Sequence, residues 1–109
     1  MKYFPDRWVI VEIEKDGTKI HKVFATWLGG YLNGDQWRLN SGIKGTKKEG
    51  PTFVVVGDSG SEYVCRQGAY GTSAYTGSVL AGFDAQKPES VKFKVLAEQG
   101  ALRYLESLL

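Results

Sequence analysis

The chain has 109 residues, the size of one domain, with 14 Lys and Arg against 12 Asp and Glu for a net charge of +2. A composition that is 42% hydrophobic and 24% charged excludes disorder and collagen-like repeats, because enough apolar surface exists to offset the chain entropy lost on folding. One Cys and one His exclude an internal disulfide framework and the usual Cys/His zinc sites, and so small a net charge does not by itself indicate polyanion binding.

The opening Met1-Lys2-Tyr3-Phe4-Pro5-Asp6-Arg7 lacks the apolar core of a signal peptide. The uncharged stretch Gln67 to Phe83 is too short and too polar to span a membrane, so a soluble cytoplasmic protein with a reduced thiol is expected. Arg7 to Glu14 alternates in strand fashion, with Val9, Val11 and Ile13 on one side and Trp8, Ile10, Glu12 and Glu14 on the other. Asp16-Gly17 then suits a type I′ turn, and Thr18 to Trp27 reads as the return strand of a hairpin, its mixed pattern implying cover on both faces. Gly29 to Asp35 is a loop or sharp bend. Gln36 to Leu39 and Ile43 to Lys48 flank Ser41-Gly42, read as a bulge or turn within one kinked strand. Thr52 to Val56 is the most apolar run and predicts a central strand, joined through Gly57 to Gly60 to a partner at Ser61 to Arg66.

Five strand segments joined by short turns predict a mainly β fold, a small five-stranded barrel over about 7–70. The remainder, about 71–109, reads as a C-terminal extension of the same single domain. Tyr75, Val79 and Phe83 form a helical stripe with Thr72 or Ser73 as its cap, while Gly77 and Gly82 leave a strand or irregular loop as the alternative. Val91 to Leu96 predicts an edge strand with lysines facing water, and Ala101 to Leu109 a short helix with Leu102, Leu105 and Leu109 on one side.

Chemistry-bearing constellations are sparse. Cys65 lies mid-strand, where a buried small hydrophobe is the ordinary reading, and His21 reads as a surface imidazole. Glu12 and Glu14 share a strand face without implying a cleft, and neither Gly42 to Lys47 nor Gly57 to Gly60 has phosphate-loop spacing. No catalytic residue, metal or cofactor is therefore expected. Basic and aromatic residues do mix in one stretch: Tyr31, Trp37, Arg38, Asn40, Lys44, Lys47 and Lys48 would offer stacking faces and phosphate partners if they shared a surface. Residues 1–50 hold nine Lys and Arg against six Asp and Glu, whereas 51–109 hold five against six. Tyr31, Trp37 and Tyr70 also lie beside glycine-rich bends, where rings can reach a partner.

Val9 to Ile20 resembles the first hairpin of the Sm and Sm-like RNA-binding barrels. Asp35-Gln36-Trp37-Arg38-Leu39-Asn40 resembles that family's first motif, and Cys65-Arg66-Gln67-Gly68 its second. The resemblance covers roughly residues 8–70 and implies an SH3-like or Sm-like barrel that assembles as a homo-oligomer. It further implies that Trp37, Asn40 and Arg66 hold a single-stranded RNA base by stacking and edge hydrogen bonds, with Lys44, Lys47, Lys48 and Tyr31 nearby. Trp27 to Ile43 also resembles short proteins of tailed phages, which implies a source and no activity. The alternative function is a structural or protein-interaction protein that binds no nucleic acid.

Overall fold

A computed structural model describes residues 1–109. The elements in chain order are β1 (Lys2–Tyr3), β2 (Arg7–Lys15), β3 (Thr18–Trp27), α1 (Gly30–Asn33), β4 (Gln36–Leu39), β5 (Ile43–Glu49), β6 (Thr52–Gly57), β7 (Glu62–Arg66), α2 (Ala74–Gln86), β8 (Val91–Val95) and α3 (Glu98–Ser107). The fold is mainly β, but its strands do not close into a barrel. They form two four-stranded sheets, one ordered β1-β7-β6-β5 and the other β4-β3-β2-β8.

The β2–β3 hairpin forms in the expected register, from Arg7 opposite Thr26 to Lys15 opposite Thr18. Asp16 and Gly17 both take positive φ, 53° and 78°, as a type I′ turn requires. Both faces of this hairpin are covered, which is why its base reads as a continuous apolar run. Trp8, Ile10, Val23 and Ala25 meet Phe53, Val55, Tyr63 and Cys65 of the other sheet, together with Ala101 and Leu105 of α3. Val9, Val11 and Phe24 turn the opposite way, onto Leu80 of α2. The β4-β3-β2-β8 sheet is thus a middle layer between the first sheet and α2.

Helix α2 takes the helical alternative. Ser73 caps it in a reciprocal box: its Oγ accepts from Thr76 N at 3.1 Å, and Thr76 Oγ1 accepts from Ser73 N at 2.9 Å. The buried residues are Thr76 and Leu80, so the inward face is turned from the expected stripe and leaves Tyr75 54% exposed. Thr76 is tolerated inside because its hydroxyl accepts from Thr26 Oγ1 at 2.9 Å. Strand β8 is an edge strand with Lys92 and Lys94 exposed, as its alternation predicts. Helix α3 begins three residues before the expected start, at Glu98; it packs Leu105 fully while Leu109 stays exposed. Thr46 Oγ1 donates to Leu105 O at 3.0 Å, and Lys48 pairs with Glu106 at 2.7 Å, which ties α3 to β5.

The kinked strand expected around Ser41-Gly42 is two strands in different sheets. Leu39 ends β4 beside Phe24, and within four residues Ile43 opens β5 beside Gly57. Asn40 makes the crossing possible. Its Oδ1 accepts from Val23 N at 2.9 Å, satisfying a backbone donor that the departing chain would otherwise orphan, and its Nδ2 donates to Gly42 O at 3.0 Å beside the bond that Gly42 O accepts from Asp58 N. Gly42 sits at φ +149°, and a Cβ there would strike the Asp58 carboxylate.

Two ring positions differ from expectation. Tyr70 does not reach outward: its ring meets Trp8 edge-on at 4.8 Å, and its hydroxyl accepts from Ile10 N and donates to Leu96 O. His21 is half-buried, bonded to Glu12 Oε1 at 3.1 Å and stacked on Tyr104 at 4.0 Å between centroids.

Cys65 is fully buried, and desolvation raises its pKa far above the usual thiol value of 9.0. Burial also raises Tyr70 and Tyr104, Tyr104 further through the Asp58 charge. For a group whose folded pKa is raised, the stability it contributes is complete below the unfolded pKa and is lost as pH climbs past it. Unfolding free energy should therefore fall in alkali, with Cys65 alone costing about 1 kcal/mol between roughly pH 9 and 10. Urea melts at stepped pH check this; a flat profile across that window would contradict a buried thiol.

Candidate binding groove

The open place in the architecture lies where one free edge of each sheet comes together. Strand β1 pairs only with β7 and β4 only with β3, and between them runs a groove of about 720 Å³, within the size range of ligand sites. Lys2, Tyr3 and Phe4 line one side and Gln36, Trp37 and Arg38 the other. Trp27, Gly29, Asn33 and Gly34 close the end beneath α1.

Local chemistry sets each wall. Tyr3 stacks on the buried Tyr63 at 5.0 Å and meets Trp27 edge-on at 6.0 Å. Arg38 lies over the Tyr3 ring at 4.8 Å, and its Nε donates to Tyr63 Oη at 3.1 Å. That hydrogen bond raises the guanidinium pKa, and Arg38, like any arginine, is a cation at neutral pH. Trp37 stacks on Phe24 at 5.6 Å, meets Phe83 edge-on at 5.4 Å and keeps 38% of its surface exposed. Trp27 Nε1 donates to Phe4 O at 3.1 Å, which holds the Phe4 backbone at the rim.

The electrostatics are one-sided. Lys2 and Arg38 form no ion pair. The nearby carboxylates instead accept from backbone: Asp6 Oδ2 from Leu28 N at 2.8 Å, and Asp35 Oδ1 from Gly29 N at 3.2 Å. These bonds brace the loop carrying α1. Gly29 is required there, because a Cβ at that position would overlap the Gly34 carbonyl. The short helix so held buries none of its residues, with Tyr31 fully exposed and Leu32 89% exposed.

Of the residues singled out from sequence, Trp37 lines the groove, and Tyr31 stands on α1 at its rim. Asn40 is 5% exposed with both ends of its amide engaged at the sheet crossing. Arg66 Nη2 donates to Asp6 O at 3.1 Å, and its own carbonyl accepts from Trp8 Nε1. Lys44, Lys47 and Lys48 lie on β5, with Lys47 3.5 Å from Glu62 and Lys48 bound to Glu106. None of these five lines the groove. Sequence reasoning passed over Lys2, Phe4 and Trp27 as groove residues, and named Arg38 only within the mixed basic and aromatic stretch. The available signal was the alternation of Trp37 and Arg38 on a short strand, next to a glycine-rich bend.

A second, smaller cavity of about 470 Å³ lies between α2 and β8, lined by Leu80, Phe93 and Val95 among others. No group of three or more His, Cys, Asp or Glu is placed to hold a metal ion, and no helix is long and apolar enough to cross a membrane. The chain matches no protein-family model, no curated protein and no solved structure.

Proposed function

We propose that this chain is a non-catalytic interaction protein that docks a protein partner in the β1–β4 groove and on its α1 rim. The observation that carries the reading is the apolar surface there: Phe4 is 64% exposed, Leu28 48%, Tyr31 102% and Leu32 89%. Single exposed apolar residues are ordinary, but a contiguous set around an aromatic groove marks a contact surface. Tyr, Trp and Arg are also the side chains that most often anchor interfaces. Against catalysis, the Cys65 thiol is buried with a raised pKa, and His21 is engaged by Glu12 and Tyr104.

Single-stranded RNA is the second reading, favoured by stacking rings beside the unpaired cations Lys2 and Arg38. On this reading Trp37 keeps its stacking role, while Asn40 and Arg66 act within the fold. A photo-crosslinking amino acid replacing Tyr31 separates the two in the cells that make the protein. Protein docking predicts a discrete adduct that survives ribonuclease, and assembly of like chains predicts an adduct of twice the chain mass. Loss of the adduct on ribonuclease treatment, with quenching of tryptophan fluorescence by RNA oligomers at low salt, would overturn protein docking in favour of RNA.

A further inference from the structure

We propose that the occupant of the groove is an extended acidic polypeptide segment that adds as a strand to the outer edge of β4, an inference that rests on the protein-docking reading above. Strand β4 pairs only with β3, and Asn40 N donates to Val23 O at 3.0 Å. Antiparallel alternation then turns the backbone N–H and C=O of Trp37 and Leu39 toward the unpaired side. Trp37 and Arg38 are neighbours on one strand and project to opposite faces, Trp37 onto Phe24 and Phe83, Arg38 onto Tyr3 and Tyr63. Both nevertheless line the same groove, so the groove follows the strand edge and does not lie over one face. Across it stands β1, whose outer edge is also free. The gap between β1 and β4 is therefore where the two sheets fail to close, and an unpaired strand edge borders it on each side.

Strand addition satisfies unpaired edge groups and takes its specificity from alternate side chains. On one side of an added strand those side chains would meet Trp37, and on the other the Arg38 guanidinium with Lys2 close by. Neither cation has a carboxylate partner, while the local carboxylates of Asp6 and Asp35 are bound to backbone N–H groups. Charge complementarity thus selects a carboxylate for the Arg38 side and an apolar side chain for the Trp37 side.

Selection of a displayed library of random dodecapeptides on the intact chain tests this directly. The expected winners alternate acidic and apolar residues, and the best peptide shifts the backbone amide NMR signals of Trp37 and Leu39. Methylating the peptide nitrogen that faces β4 should weaken binding about tenfold, since it removes a ladder hydrogen bond and inserts a clash. Arg38→Gln, or Lys2→Gln if the first variant does not fold, should weaken the acidic peptide while leaving its amide counterpart unchanged. If a selected peptide shifts groove signals but tolerates every N-methylation, strand addition is overturned and the docking reading stands. If no peptide is enriched, both fall, and groove shifts produced by hexauridine would then assign the surface to RNA.

Discussion

Trp8→Ala is expected to lower the unfolding free energy by about 3–5 kcal/mol, the usual range for truncating a buried Trp. Trp8 has no exposed surface and joins the inter-sheet core beside Ile10 and Val23. Its indole N–H also donates to Arg66 O at 2.8 Å, and its backbone is stitched to the segment after β7 through Ala69 O and Gly71 N. Truncation therefore opens a cavity and removes the donor that anchors that segment. For a chain this size the loss is a fifth or more of a typical total of about 5–15 kcal/mol. Trp8→Phe shifts the balance between the two contributions, since it keeps most of the apolar volume while removing the donor; about 1–2 kcal/mol is expected. Urea titration of both variants measures the difference, and equal losses would mean that the cavity contributes nothing.

Asn40→Ala should cost about 1–3 kcal/mol, because it leaves the buried N–H of Val23 without its acceptor, while Gly42 O loses one of two donors and keeps the bond from Asp58 N at 2.9 Å. Asn40→Asp is the sharper probe. Its carboxylate still accepts from Val23 N but turns an oxygen toward Gly42 O, so the variant should weaken as pH rises through carboxylate ionisation. The sign follows from the environment: a buried carboxylate facing a carbonyl has its folded pKa raised, so stability is complete at low pH and is lost on ionisation. Thermal melts at pH 4 and 8 would show it. Equal destabilisation at both pH values would place the loss on the Val23 side of the clamp alone.

That result bears on how much of the molecule its residue pattern could reveal. The Asp16-Gly17 hairpin, the central Thr52 to Val56 strand and the lysine-edged β8 are set by local alternation and turn chemistry, so they were readable. So was the cap, read as Thr72 or Ser73 and found at Ser73, although Gly77 and Gly82 obscured the helix behind it. Strand β1 was not readable: two residues carry no periodicity, and its partner β7 lies some 60 positions away. The sheet crossing was hidden for a related reason, because Ser41-Gly42 suits a bulge as well as a change of sheet, and only the clamp from Asn40 to Val23 decides between them.

The groove follows the same logic. Trp37, Tyr31 and Tyr70 stood out as rings beside glycines; Trp37 lines the groove, Tyr31 stands on α1 beside it, and Tyr70 packs inside on Trp8. Its other wall depends on long-range placement: Tyr3 reaches Tyr63 and Trp27, and Arg38 reaches across to Tyr3. Asn40 shows the converse, since a short motif that suggests base recognition is spent here on holding two sheets in register.

The most direct measurement of where this protein works is a photo-crosslinker scan of its surface. The crosslinking amino acid would be placed singly at Phe4, Leu28 and Tyr31 around the groove, and at Ser59, Lys92 and Arg103 elsewhere. Ribonuclease-resistant adducts are predicted at the three groove positions alone, and Arg38→Glu should diminish them. Adducts centred on Lys92 or Arg103, with the groove positions silent, would contradict the assignment of the working surface to the gap between β1 and β4.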